Sequence, residues 1–174
     1  MEKIAYELIR SSRRTMSVEV DSSGAVLVRA PRLMPKWRIE AFVKERTDWI
    51  QRARARQAQR QADLPQIREE DKPLYVKQAK AVLPGKIEHY ARLMGVQPTG
   101  LTITSAKTRF GSCSGKDRLS FSWRLMAYPE AAIDYVVVHE LAHIRYKDHS
   151  RALYAFIESV LPDYRDRIRL LKGR

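Results

Sequence analysis

Between residues 16 and 20 apolar and polar side chains alternate, Met16, Val18 and Val20 being separated by Ser17 and Glu19. A period of two places one face of an extended chain against a core. Asp21-Ser22-Ser23-Gly24 is a cluster of turn formers, so Ala25 to Ala30 is expected to pair back as the second arm of a hairpin. The stretch Ile4 to Ile9 predicts a further strand, leading into a basic turn at Arg10 to Arg14. Pro31 and Pro35 close this unit. The period then lengthens to that of a helix, with Ile39, Phe42, Val43, Trp49, Ile50 and Ala53 on one face. Beyond Ala53 the chain to Gln61 is nearly all Arg, Gln and Ala, the pattern of a solvated helix end. Its Arg52, Arg54, Arg56 and Arg60 are alternatively contacts for phosphates.

Asp63 to Asp71 carries Pro65 and the acidic run Glu69-Glu70-Asp71 and reads as a linker. A second helix is expected from Pro73 to Met94 on the stripe Val76, Ala79, Leu83, Ile87, Tyr90 and Met94. Pro84 lies inside this stripe and predicts a kink or a break. Gly95 suits the C-cap. Three short strands follow, at Leu101–Thr104, Arg109–Cys113 and Leu119–Trp123, the last two joined by the polar turn Ser114 to Arg118. Pro129 and Glu130 open a helix through Ile133, Val137, Leu141 and Ile144. A final helix carries Leu153, Phe156, Ile157 and Val160 and is interrupted by Pro162 before Ile168 and Leu171. The fold class is α+β. The expected organisation is a basic hairpin-and-helix subdomain at 1–62, a linker at 63–72 and a larger domain at 73–174.

Composition bounds the reading. The 174 residues are 44% apolar, enough for a core and too apolar for wholesale disorder. No stretch approaches the ~18 consecutive apolar residues of a membrane span. The start, Met1-Glu2-Lys3-Ile4, lacks the apolar region of a secretory leader. Cys113 is the sole cysteine, which excludes an internal disulfide framework. A cytoplasmic setting and no membrane partner are therefore expected. The net charge is +13, and residues 1–62 hold 14 basic against 7 acidic residues. Such a field attracts polyanions, so nucleic acid is a candidate partner of the N-terminal region. A basic surface with no ligand is the plainer alternative.

The chemistry concentrates in His139-Glu140-Leu141-Ala142-His143, an HExxH on an expected helix. Residues i and i+4 differ by about 40° around a helix, so both imidazoles project to one side. Two such nitrogens can share one tetrahedral zinc ion, one per chain. Glu140 lies on the flank, able to act on a water beside the metal without ligating it. Catalytic zinc takes three protein ligands, so a third is needed. His149 follows His143 by six residues and, on an unbroken helix, would point about 120° away. It joins only if the chain turns within Tyr146-Lys147-Asp148, with Asp148 or Ser150 capping a new helix. Glu158 is the rival ligand. His149 is favoured because imidazole suits zinc better, leaving Glu158 to orient a ligand from outside.

Arg109-Phe110-Gly111-Ser112-Cys113-Ser114, Leu119 to Arg124, Tyr135 to His143, His149-Ser150 and Leu161-Pro162-Asp163-Tyr164 together resemble the YgjP-like metal-dependent hydrolases. These are bacterial relatives of the WLM and SprT-type zincin metallopeptidases. The resemblance extends to the N-terminal hairpin and the Trp49-Ile50 helix. Phe110 departs from it, the family usually having Trp there. The resemblance implies a zincin-like domain with a small antiparallel sheet and an HExxH active-site helix. It implies zinc on His139, His143 and His149, with Glu140 catalytic. Family members are usually labelled metallopeptidases, and some carry a UTP pyrophosphatase label.

The expected reaction is metal-assisted hydrolysis with Glu140 as general base. A polypeptide substrate could add as a strand along Arg109 to Cys113. Arg109 and Ser112 are candidate substrate contacts. Arg109 could steady an oxyanion or phosphate, or simply pair with an acid such as Asp134. Cys113 reads as a small buried residue rather than a nucleophile. The leading function is a zinc metallopeptidase. The rivals are a zinc-dependent nucleotide pyrophosphohydrolase, for which no P-loop is present, and a basic nucleic-acid-binding module with a structural metal.

Overall fold

The computed structural model describes residues 4–172, so the residues read for a leader at 1–3 lie outside it. The chain is mixed α and β, with two small sheets and six α-helices among the described residues, and divides into two compact units, residues 1–63 and 64–174.

The first unit opens with β1 (Glu7–Ser11), β2 (Ser17–Val20) and β3 (Val26–Pro31). β2 and β3 form the antiparallel hairpin, Val18 opposite Val28, over a turn in which the Asp21 carboxylate accepts from the amides of Ser23 and Ala25. Gly24 takes the left-handed φ of 83° that this turn requires. β1 lies on the other side of β3 and runs parallel to it, so Arg10 belongs to a strand and not to the basic turn expected there. Val26, Val28 and Ala30 alternate inward from β3 and meet Ile39, Val43 and Ile50.

The helical stripe expected to be one helix is two, α1 (Lys36–Glu45) and α2 (Thr47–Asp63). Arg46 leaves helical geometry at φ −106°, and the Thr47 hydroxyl donates back to the Lys44 carbonyl. The break changes the phase, so Ile50 is buried while Trp49 is 41% exposed. The polar end of α2 is not merely solvated. Arg54 donates to the Gly24 carbonyl, and Gln57 and Gln61 donate to that of Ser22, tying α2 to the hairpin turn.

In the second unit the expected linker is partly structured, Glu69–Asp71 forming a short 3₁₀ turn that leads into α3 (Lys72–Met94). Of the kink or break expected at Pro84, the break does not occur: α3 runs through it as one helix. Pro84 and Lys80, whose carbonyl loses its partner, are both exposed, so water can serve that carbonyl while Leu83 and Ile87 hold the helix to the core. Gly95 closes the helix in the left-handed region at φ 62°.

β4 (Gly100–Thr104), β5 (Gly111–Cys113) and β6 (Arg118–Ser122) form a sheet of order β4-β6-β5. It is mixed, correcting the antiparallel expectation: β5 and β6 are an antiparallel hairpin, but β4 runs parallel to β6. Adjacent strands in sequence need not pair, and β5 takes the hairpin partner's place. β5 is thus an edge strand. α4 (Glu130–Arg145), α5 (Arg151–Val160) and α6 (Tyr164–Leu171) follow. α4 is apolar almost all round, with Val136, Val137, Val138, Leu141 and Ala142 buried, and it packs on α3, α5, α6 and β5. The Asp134 carboxylate on α4 binds Lys86 of α3 at 2.7 Å and Arg167 of α6 at 3.4 Å, joining three helices. No helix among the described residues is long and apolar enough to cross a membrane.

Candidate metal centre

α4 carries His139 and His143 one turn apart, and their Nε2 atoms face each other at 3.2 Å. The helix then stops. Tyr146 is extended (φ −124°, ψ 106°), and the next helix begins only at Arg151. His149 lies in this reversal and returns to the pair, its ring 5.4 Å from that of His139 and 4.7 Å from that of His143. One ligand-type nitrogen from each of the three lies within 4.8 Å of the others. Glu158 is exposed on α5 and is not in this group.

Two of the imidazoles are oriented through Nδ1. That of His143 donates to the Tyr146 carbonyl at 2.9 Å, and that of His139 lies 3.4 Å from the Tyr135 hydroxyl. The carbonyl can only accept, so it selects the His143 tautomer that leaves Nε2 its lone pair. Burial, then the neighbouring His143 and His149, push the His139 imidazole down to about 4, so it is neutral at neutral pH. Three imidazoles, at least one of them neutral and two of them oriented, match the protein share of a catalytic zinc site and leave a position open.

Glu140 borders the same cavity as the histidines and is 6% exposed. Burial pushes its carboxyl up to about 7, against the pull of the Arg109 charge and the Cys113 backbone amide. Its neighbour is Gly111 of β5. A Cβ there would lie 2.6 Å from Glu140 Cγ and 2.7 Å from Oε1, so only glycine lets the strand approach this close.

These groups line one cavity of about 490 Å³, together with Arg109, Ser112 and Lys147. Arg109 has no carboxylate within 4.0 Å among the described residues, and Asp134, an example of an alternative partner, is held by Lys86 and Arg167. Ser112 faces Ser120 in the β5–β6 register. Cys113 is half-buried on the same strand, and burial raises its thiol, which favours the unreactive protonated form. Sequence reasoning did not single out Tyr135, Gly111 or Leu171, which also borders the cavity. Tyr135 precedes His139 by one helical turn, a signal that was available. Leu171 arrives from the far end of the chain and carries no such signal.

The family model described as YgjP-like, metallopeptidase domain, matches residues 14–76 and 61–174. Comparison with curated proteins gives no significant match. The crystal structure of the metallopeptidase zymogen of Pyrococcus abyssi abylysin is similar over 53% of this chain and 97% of that one, at 24% identity and a TM-score of 0.46, too slight a likeness to carry function across. The family match spans nearly the whole sequence, and the chain belongs to the YgjP-like metallopeptidase-domain family.

Proposed function

We propose that this protein is a zinc-dependent peptidase of zincin type, in which His139, His143 and His149 hold the metal and Glu140 is the general base. The observation that carries the reading is the convergence of three imidazoles beside a buried carboxylate that abuts an edge strand. Zinc bound there supplies Lewis acidity, acidifying water and polarising a carbonyl. Glu140 takes a proton from the attacking water onto a carboxylate oxygen and returns it to the leaving amine. Its burial between α4 and β5 keeps bulk water from competing for that proton. β5 has one free edge among the described residues, and an extended substrate can pair with it through main-chain hydrogen bonds. Ser112 lies at the centre of that strand. Arg109, with no carboxylate within 4.0 Å among the described residues, lines the same cavity and would steady negative charge developing on the substrate carbonyl.

The test compares metal-loaded wild type with Glu140→Gln on an unfolded polypeptide and on a panel of nucleoside triphosphates. Gln keeps the shape and cannot act as a base. The variant is expected to keep its metal and lose about 10²–10⁴-fold in cleavage rate. Stoichiometric metal with undiminished turnover would remove Glu140 from its role. Phosphate or pyrophosphate release without polypeptide cleavage would replace the peptidase with a nucleotide hydrolase.

A further inference from the structure

The first unit has a surface that the hydrolase chemistry does not use. Residues 29–38, Arg-Ala-Pro-Arg-Leu-Met-Pro-Lys-Trp-Arg, contain four cations and no carboxylate. The segment 10–14, Arg-Ser-Ser-Arg-Arg, adds three more and again no acid. The fold places the two side by side: Ser11 pairs with Pro31 in the parallel β1–β3 ladder, and the Arg32 amide donates to the Ser11 carbonyl at 3.1 Å. Among the described residues only Arg29 of these seven cations has a carboxylate within 4.0 Å, that of Glu19.

Two large apolar side chains stand in this charged field. Leu33 is 95% exposed and Trp37 is 69% exposed, while most apolar side chains of the unit lie at least partly buried. Their position is held. The Arg10 guanidinium donates to the carbonyls of Arg32 at 2.7 Å and Met34 at 2.8 Å and to that of Pro31 at 3.3 Å. A turn bond from the Met34 amide to the Pro31 carbonyl closes the loop. A loop fixed in this way loses little conformational freedom when a ligand binds.

We propose that Arg14, Arg32, Leu33, Lys36, Trp37 and Arg38 form a surface for single-stranded nucleic acid. The charge is the complement of a phosphate backbone, and arginine predominates, which suits phosphate oxygens. An exposed indole gives an unstacked base a face to lie on, a contact that a duplex, its bases already stacked, does not offer. An acidic protein segment would use the charge but would leave the indole without a planar partner. The inference is independent of the metal centre and of the peptidase reading.

Fluorescence anisotropy of the full chain with labelled single strands and duplexes of about 16 nucleotides tests it. Wild type is expected to prefer the single strand, with log affinity falling against log salt by about 0.7 per phosphate contacted. Trp37→Ala should weaken single-strand binding about 5- to 150-fold, and Trp37→Phe should restore most of it. Arg32→Ser with Arg38→Ser should flatten the salt slope by about 1.4. All three side chains are exposed, and circular dichroism should show the fold unchanged. Equal affinity for single strand and duplex, with no effect of Trp37→Ala, would overturn the proposal in favour of unspecific attraction. So would binding of a poly-glutamate peptide in place of the oligonucleotide, or no binding at low salt.

Discussion

Tyr135 and His139 sit one helical turn apart on α4, and the hydroxyl of the first lies 3.4 Å from Nδ1 of the second. The Tyr135 ring is packed against Tyr164 and against His139 itself, so the hydroxyl has little freedom to leave. Its part is to position the imidazole. Tyr135→Phe removes that oxygen and keeps the packing, and is expected to weaken zinc about 10–100-fold in chelator competition. The melting temperature of the metal-free protein should stay unchanged. Wild-type zinc affinity in the variant would show that the hydroxyl does not orient His139. At this scale the sequence was legible where spacing along one helix decides geometry, as for His139, Glu140 and His143. It was not legible where the third dimension decides. Nothing local in Gly111 says that a buried glutamate 29 positions later will fill the space of its missing Cβ. Arg109 and Asp134 were plausible partners by charge alone, but the packing of α3 and α6 on α4 gave Asp134 to Lys86 and Arg167.

The elements show the same division. Gly95 ends α3 because only a residue tolerant of positive φ can, and that is readable in one letter. The break at Arg46 has neither Gly nor Pro to announce it, so one helix was expected where two stand. Pro84 announced a kink or a break, and no break came, because the lost hydrogen bond falls on the exposed side of α3. Parallel pairing of β4 with β6 is invisible in any single strand, since alternation fixes which face is buried and not which neighbour pairs. The consequential element boundary is the end of α4. Had the helix continued, His149 would have been carried about 120° from His143; its end at Tyr146 brings the third ring back to the pair. His149→Ala is therefore expected to purify largely without metal. Glu158→Ala, on the exposed face of α5, should retain its metal, as read by elemental analysis of the purified proteins. Loss of metal from Glu158→Ala with retention in His149→Ala would reverse the assignment.

For the whole molecule, the two compact units have separate hydrophobic cores. One gathers Val26, Val28, Ala30, Ile39, Val43 and Ile50; the other gathers Leu83, Leu119, Phe121, Val137, Leu141, Leu153 and Ile157 among others. All three histidines and Glu140 belong to the second unit. If each core closes on itself, residues 64–174 expressed alone should fold cooperatively and bind one zinc ion with the affinity of the full chain. Residues 1–63 alone should be far less stable, since a domain of about 60 residues buries only about 60% of its unfolded surface and is marginal. Metal removal separates the two further. A ligand that binds only the folded state stabilises by about 2.7 kcal/mol at a hundredfold excess over its Kd, and this contribution falls on the second unit alone. Chelation of the full chain should then lower the melting transition that the 64–174 fragment also shows, and leave any transition of 1–63 in place. Differential scanning calorimetry of the three chains with and without chelator reads this directly. A 64–174 fragment that stays unfolded in the presence of zinc would mean that the metal centre depends on residues 1–63.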